Sequence, residues 1–129
     1  MASELRVNTL KDAAGSNEVA MTYVAGGSAK AWVNFDGTAA SIAARDSFNI
    51  TSITDNGTGQ YTANFSNSMT NDDFVHNITV RLTTGSGAAF GSIREASYST
   101  NAMGIYVFQA DTTLADAVYV VSSLHGDLA

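Results

Sequence analysis

The chain has 129 residues, a formal net charge of −6, and neither cysteine nor proline. This length fits one domain with its own core, and the absence of cysteine excludes disulfides and thiolate chemistry. The acidic balance argues against nucleic acid or an anionic membrane as a partner, because both require a basic patch.

Charged residues make up 14% of the chain, well below the usual share of about a quarter. The polar surface is therefore expected to consist largely of Ser, Thr, Asn and Gly. No apolar run reaches the roughly 18 residues of a membrane span. Glu4, Arg6 and Lys11 interrupt any apolar region near the N-terminus, so no secretory signal is expected.

Residues 1–27 are predicted to form a separate N-terminal segment. Glu4–Leu10 and Glu18–Val24 alternate apolar and polar residues, which favours two short strands. The two glycines of Ala25–Ser28 indicate a flexible joint before the main domain, residues 28–129. Two short strands bury little surface alone, so the segment is expected to dock on a partner or on a neighbouring subunit.

The main domain opens with a strand at Ala31–Phe35, where Trp, Val and Phe give strong β character. Asp36-Gly37 predicts the turn that ends it. Residues 38–47 are rich in alanine, which favours helix. Because strands are predicted on both sides of this short stretch, extended structure or a loop is favoured there.

A β-hairpin is the clearest local signal in the chain. Phe48–Thr54 predicts one strand, with Phe48, Ile50 and Ser52 on the same face. Asp55–Gly59 is a turn by composition, and Gln60–Phe65 predicts the returning strand.

Four further strands complete the predicted fold, with polar turns at Thr83–Gly87 and Ser97–Gly104. Short strands about ten residues apart, separated by Gly and Asn turns, are typical of an antiparallel sandwich. We therefore predict an all-β fold, an antiparallel β-sandwich of jelly-roll-like or Ig-like type with a short N-terminal strand segment. The four strands are Phe74–Leu82, Ala89–Glu95, Ile105–Ala110 and Ala117–Leu124.

Ten large apolar residues are predicted to supply most of the core. They are Trp32, Phe35, Phe48, Tyr61, Phe65, Ile78, Val80, Val107, Val118 and Val120.

The sequence predicts no catalytic, cofactor-binding or metal-ligating residue. His76 is in phase with core residues and His125 lies in another strand, so a core or interface role is favoured over ligation. The Asp55–Gly59 and Asn71–Asp73 stretches lack the spacing of a calcium loop. Gly85–Gly87 lacks the lysine and helix of a phosphate loop.

Three blocks of this sequence resemble a module of tailed bacteriophages. They are Ala29–Thr38 (AKAWVNFDGT), Arg45–Ile50 (RDSFNI) and Ser52–Tyr61 (SITDNGTGQY). The module is common at the ends of tail-fibre proteins, notably in phages of marine and freshwater bacteria. Leu5–Gly15 also resembles the short segment that precedes such modules.

The resemblance implies a non-enzymatic virion surface protein, made in the host cytoplasm and assembled as a homotrimer. A short tail-fibre or tail-tip protein that attaches to the host is the first hypothesis. Its N-terminal segment would bind other virion proteins. Its loops, with Tyr98, would meet a host-surface glycan or protein.

Two alternatives come from other classes of function. No long shaft precedes the module in this short chain, which motivates a capsid decoration protein that clamps neighbouring capsomers. A glycan-degrading enzyme requires two carboxylates facing each other across a cleft. Nothing in the sequence places two Asp or Glu residues in that way, so the enzyme is the least favoured hypothesis.

Overall fold

Ten strands and two short helices make up the part of the chain that is described, residues 3–83 and 88–129 of a computed structural model. Helix α1 spans Met21–Gly27, and a 3-10 helix spans Glu95–Ser97. The strands are Thr9–Lys11 (β1), Glu18–Ala20 (β2), Ala31–Phe35 (β3), Ala44–Phe48 (β4), Ile50–Gly57 (β5), Gln60–Phe65 (β6), Val75–Arg81 (β7), Ala89–Ile93 (β8), Ala102–Gln109 (β9) and Tyr119–His125 (β10).

Eight strands form two antiparallel sheets that pack face to face, in the orders β4-β3-β10-β7 and β5-β6-β9-β8. Inward side chains of both sheets meet in one core, where the rings of Phe35 and Tyr61 are in edge contact at 5.0 Å. The predicted all-β antiparallel sandwich is confirmed. The buried core residues are Ala31, Val33, Phe35, Tyr61, Ala63, Met69, Phe74, Met103, Ile105, Val107, Ala117, Val120 and Leu124.

Strand β7 shows the alternation that its sequence predicts. Ile78 and Val80 pack against the core, whereas the intervening Thr79 is exposed. Gly91, in β8 of the other sheet, lies against the side chains of Ile78 and Val80. A Cβ atom at residue 91 would collide with Ile78 Cγ2. The glycine is therefore required by the close approach of β7 and β8, and does not simply weaken the strand.

The predicted strand Phe48–Thr54 is wrong as a single element, because the chain changes sheets at Asn49. Asn49 has a φ of 57°, a left-handed conformation that asparagine tolerates better than most residues. Its side-chain Oδ1 accepts from the Asn67 amide at 2.7 Å. Phe48 consequently ends β4 in one sheet and Ile50 begins β5 in the other. The hairpin of β5 and β6 is confirmed.

Of the two predicted N-terminal strands, Glu4–Leu10 is correct only at residues 9 and 10 and Glu18–Val24 only at Glu18–Ala20, and the observed strands Thr9–Lys11 and Glu18–Ala20 pair with each other. From Met21 the chain forms α1 where Glu18–Val24 predicted a strand. A helix forms its backbone hydrogen bonds within its own segment. A strand that continued past Ala20 would need a neighbouring strand to accept and donate those hydrogen bonds, and β1 pairs only with Glu18–Ala20. The attachment role of residues 1–27 stays a prediction.

The predicted core is correct at seven of ten positions. Phe35, Tyr61, Val107 and Val120 are buried, and Phe65, Ile78 and Val80 pack against them. Trp32, Phe48 and Val118 lie outside this cluster. Trp32 alternates with buried Ala31 and Val33, so its side chain lies on the outer face of the sheet.

The predicted linker Ser97–Gly104 is too long. Its last three residues, Ala102–Gly104, are buried and open β9. A Cβ at residue 104 would collide with the Arg94 carbonyl oxygen, so glycine permits the chain to pass closely there. The predicted turn at Thr83–Gly87 lies mostly outside the described residues, as does Gly85–Gly87.

Candidate functional site

The outer surface of the β4-β3-β10-β7 sheet presents aromatic side chains beside amides and hydroxyls. Trp32 is paired across the strands with Phe48 on one side and Ser123 on the other, and Asn34 is paired with Val121. Phe48 is 51% exposed and Val121 39%. We call this surface the Trp32 face, comprising Trp32, Asn34, Phe48, Val121 and Ser123.

A cleft of about 340 Å³ opens at one end of the Trp32 face. Tyr119 lies two residues before Val121 on β10, on the same side of the sheet and about 7 Å further along. We call this feature the Arg cleft. It is lined by Asp36, Arg45, Arg81, Leu82, Thr83, Val118 and Tyr119.

Arg45, on β4, is fixed by groups from β3, from the turn that follows β3 and from the residue that precedes β10. Its Nη1 donates to the Val118 carbonyl at 2.7 Å and to the Phe35 carbonyl at 3.2 Å. Its Nη2 donates to Asp36 Oδ2 at 2.9 Å, which forms an ion pair. The guanidinium is therefore held in one position without any ligand.

Asp36 remains ionised in this setting. Its Oδ1 accepts from the Thr38 hydroxyl at 2.6 Å and from the Thr38 amide at 3.0 Å. These hydrogen bonds, with the charge of Arg45, lower the pKa of the Asp36 carboxyl below its usual value. At neutral pH this carboxylate accepts hydrogen bonds and does not supply a proton.

Tyr119 lies between the two guanidinium groups of the cleft. The Arg45 Cζ atom is 4.4 Å from the centre of its ring, and the Arg81 Cζ atom is 5.9 Å away. Both distances fall within the range of a cation–π contact. Arg81 is opposite Tyr119 in the β7–β10 register, so the contact follows directly from strand pairing.

A hydrogen-bonded cluster supports the loops beneath the Arg cleft. The buried Tyr61 hydroxyl lies 2.7 Å from Asp116 Oδ1 and 3.1 Å from the Gly37 carbonyl. Asp116 Oδ1 also accepts from the Gly59 amide at 2.8 Å. Burial and the Asp116 carboxylate raise the pKa of Tyr61. The cluster ties together three loops, and those at Gly37 and Asp116 lead directly to Asp36 and Val118.

The outer face of the other sheet carries a second group of aromatic residues. The rings of Phe90 and Phe108 stack at 5.2 Å, and Tyr106 lies 5.6 Å from Phe108. Arg94 lies 5.9 Å from the ring centre of Tyr106, and its Nη1 donates to Ser97 Oγ at 2.8 Å. This arginine thus resembles Arg81 in its aromatic contact but has a hydrogen-bond partner of its own.

His76 is a half-buried residue beside the core. Its Nε2 lies 2.6 Å from Ser122 Oγ, which donates to Met103 Sδ at 3.5 Å. Nδ1 is buried and has no hydrogen-bond partner in the described chain. Burial lowers the pKa of His76 to about 4.

The other residues considered from the sequence are placed apart from the Arg cleft. His125 is opposite Val75 in the register, on the face of the sheet opposite to His76. The Tyr98 ring packs 4.5 Å from that of Phe74, and its hydroxyl donates to the Phe74 carbonyl. Burial, with the Asp72 charge, raises the pKa of Tyr98 to about 12. Tyr98 is therefore a packing residue and not the exposed contact that we expected.

The two acidic stretches use their side-chain oxygens in local hydrogen bonds, and residues 55–57 of the predicted turn Asp55–Gly59 belong to β5. Asp55 Oδ1 accepts from the Gly57 amide, and Asn71 Oδ1 accepts from the Asp73 amide. Among the described residues, no three His, Cys, Asp or Glu side chains gather as metal ligands would. Within residues 3–83 and 88–129, no helix is long and apolar enough to cross a membrane.

Comparisons with protein-family models, with curated proteins and with solved structures give no match.

Sequence reasoning missed the Arg cleft, although part of its signal is visible in the chain. Arg45 and Arg81 are 36 positions apart in sequence, and only the strand order brings them to the same ring. Arg81 on the exposed phase of β7 and Tyr119 at the start of β10 were identifiable as outer-face residues. Their pairing required knowledge of which strands are neighbours.

Proposed function

We propose that this chain is a non-enzymatic surface protein of a tailed-bacteriophage virion, a short tail-fibre or tail-tip component that contacts the host. The observation that carries the proposal is the Trp32 face, three of whose five residues lie in the blocks that resemble tail-fibre modules. These three are Trp32, Asn34 and Phe48. The resemblance and the outer surface of the sheet therefore overlap at these three residues.

The chemistry of the Trp32 face suits contact with a host surface. Large aromatic rings supply contact area at a low cost in conformational entropy, and small polar side chains supply adaptable hydrogen bonds. Phe48 and Trp32 provide the first kind of group, and Asn34 and Ser123 the second. An exposed apolar patch rimmed by polar residues typically marks a site of interaction.

The only carboxylate lining the Arg cleft within the described chain is Asp36. Glycoside hydrolysis requires a second carboxyl group across the cleft, one of the pair acting as a proton donor. Asp36 is ion-paired to Arg45, and its pKa is lowered, which suits it poorly to that role. This supports the non-enzymatic part of the proposal.

The N-terminal segment is proposed to attach the protein to other virion proteins. β1 and β2 form a sheet of their own, and α1 has no buried residue. Leu5 is 80% exposed and Tyr23 is 75% exposed. Apolar side chains left so exposed gain stability when a partner covers them.

Deleting residues 1–27 is expected to leave a folded sandwich that no longer enters virions. The core residues all lie at or beyond Ala31, so the deletion removes no core side chain. Circular dichroism and a cooperative thermal transition would establish folding, and particle composition would report assembly. Incorporation of the truncated chain at the level of the full chain would contradict the attachment role.

A homotrimer is the proposed form in solution. Light scattering coupled to size exclusion should then give a mass about three times the 13.4 kDa of one chain. A mass of one chain at all accessible concentrations would contradict this part of the proposal.

The location and copy number of the chain in purified particles test the proposed function. Quantitative mass spectrometry would count copies, and immunogold labelling would locate them. A few to a few dozen copies at the tail are expected. Hundreds of copies over the capsid would indicate a decoration protein instead, and absence from particles would overturn both and reopen the enzyme hypothesis.

A further inference from the structure

Positive charge is concentrated at the Arg cleft in a chain that is otherwise acidic. The sequence has four arginines and two lysines against twelve acidic residues. Two of the four arginines, Arg45 and Arg81, line this one cleft. Asp36 lines the cleft as well, so the formal charge of the cleft is positive but small, and a positively charged cleft raises the local concentration of anions.

Arg45 is preorganised and keeps donors available. A guanidinium has five N–H groups, of which Nη1 and Nη2 serve the Val118, Phe35 and Asp36 acceptors described above. The Nε–H of Arg45 has no acceptor within the described chain. Its rigid position reduces the entropy lost when a ligand binds.

Arg81 supplies the second guanidinium, whose N–H donors are available to a ligand. The side chain contacts the Tyr119 ring, but no hydrogen bond or ion pair joins its guanidinium to another described residue. Arg81 is exposed at the end of β7. A guanidinium with free parallel donors matches a carboxylate in bidentate geometry.

The other groups of the cleft distinguish among possible anions. Two guanidinium charges and one Asp36 carboxylate leave a net charge of +1, which fits a monoanion better than a doubly charged phosphate. Asp36 Oδ2 offers an acceptor for a hydroxyl group. Leu82 and Val118 add apolar surface, and the volume of about 340 Å³ lies near the lower end for small-ligand sites, about 300–1,000 Å³.

We propose that the Arg cleft binds the carboxylate of an acidic sugar in a surface glycan, with Arg81 as the main carboxylate contact and Arg45 as its fixed companion. The hydroxyls of the sugar would be met by Asp36 and Tyr119. This inference rests on the proposed function, because it names the class of host molecule that the protein would recognise.

Purified full-length chain should be tested on an array of matched glycans. Each uronic-acid or sialic-acid oligosaccharide is paired with its uncharged methyl ester, and phosphorylated sugars are included as a third group. At least one carboxylated glycan should bind at least about tenfold more tightly than its ester, because hydrogen bonds between charged groups are worth about 1.5–3 kcal/mol. Binding should weaken as salt is raised.

The Arg81→Gln variant should lose about 10-fold to 100-fold in affinity for that glycan. Arg94→Gln is the matched control, since Arg94 contacts Tyr106 at the same distance of 5.9 Å on the other sheet. It should bind as the unaltered chain does. Both arginines lie away from the buried core, and thermal melting would verify that each variant is folded.

Three results would overturn the inference: esters that bind as well as the free acids, preferential binding of phosphorylated sugars, or an Arg81→Gln variant with unchanged affinity. The proposed function is tested separately by the position of the protein in particles. If the protein is found at the tail but does not bind carboxylated glycans, the proposed function stands and the inference is refuted. If it binds carboxylated glycans but is absent from particles, the carboxylate site stands and the proposed function is refuted.

Discussion

Replacing Phe35 by alanine is expected to lower the free energy of unfolding by about 3–5 kcal/mol. The side chain is fully buried and in edge contact with the Tyr61 ring, so its removal leaves a cavity between the two sheets. Trp32→Ala should cost only about 1–2 kcal/mol, since this larger side chain is half-buried on the outer face and lies outside the core cluster.

The two variants are matched controls for each other because both residues lie on β3, three positions apart. Denaturant unfolding at a fixed protein concentration, with unchanged dependence on denaturant, gives the two free energies. A loss for Trp32→Ala equal to that for Phe35→Ala would place Trp32 in the core and remove the Trp32 face as a binding surface.

Stability is expected to fall as the pH is lowered from about 6.5 to about 4, by up to about 3 kcal/mol, through His76 alone. Burial lowers the pKa of His76 from 6.5 to about 4 in the folded chain. In this window the unfolded chain binds a proton at His76 and the folded chain does not. Protonation therefore favours unfolding, and the effect is complete below the folded pKa.

The His76→Gln variant isolates this contribution because its side chain does not titrate. Its stability should change much less than that of the unaltered chain between pH 6.5 and pH 4. Asp12, Asp36 and Asp111 have lowered pKa values, so their stabilising effect is lost progressively below about pH 5, and this loss occurs in both proteins. Identical pH profiles for the two proteins would show that His76 takes up its proton equally in both states.

Most of the sandwich was predictable because its strands follow the period of two closely. β6 and β7 largely alternate polar and apolar residues, and Gly37 and Gly59 lie in the turns that follow β3 and precede β6. Prediction failed at Asn49, where Phe48 and Ile50 continue one apolar pattern although the backbone leaves one sheet for the other. A single residue in the left-handed conformation moves the chain from one sheet to the other. The alternation of apolar and polar residues gives no sign of this move.

The outer face shows a second limit of sequence reasoning. Trp32 was predicted to be buried, whereas the smaller Ala31 and Val33 actually face the core. Either phase of the strand carries apolar residues, so the pattern alone does not choose between them. Arg45 and Arg81 reach the same cleft only through the order of β4, β3, β10 and β7, a long-range property of the sheet.

If the proposed function is correct, the purified protein binds to cells of the bacterium that the proposed phage infects. Fluorescently labelled full-length chain, Arg81→Gln and Arg94→Gln would be titrated onto cells beside a known fibre protein. We expect saturable binding by the full chain and by Arg94→Gln, and binding at least about tenfold weaker by Arg81→Gln. Absence of binding by the full chain, where the known fibre binds, would contradict the proposed contact with the host.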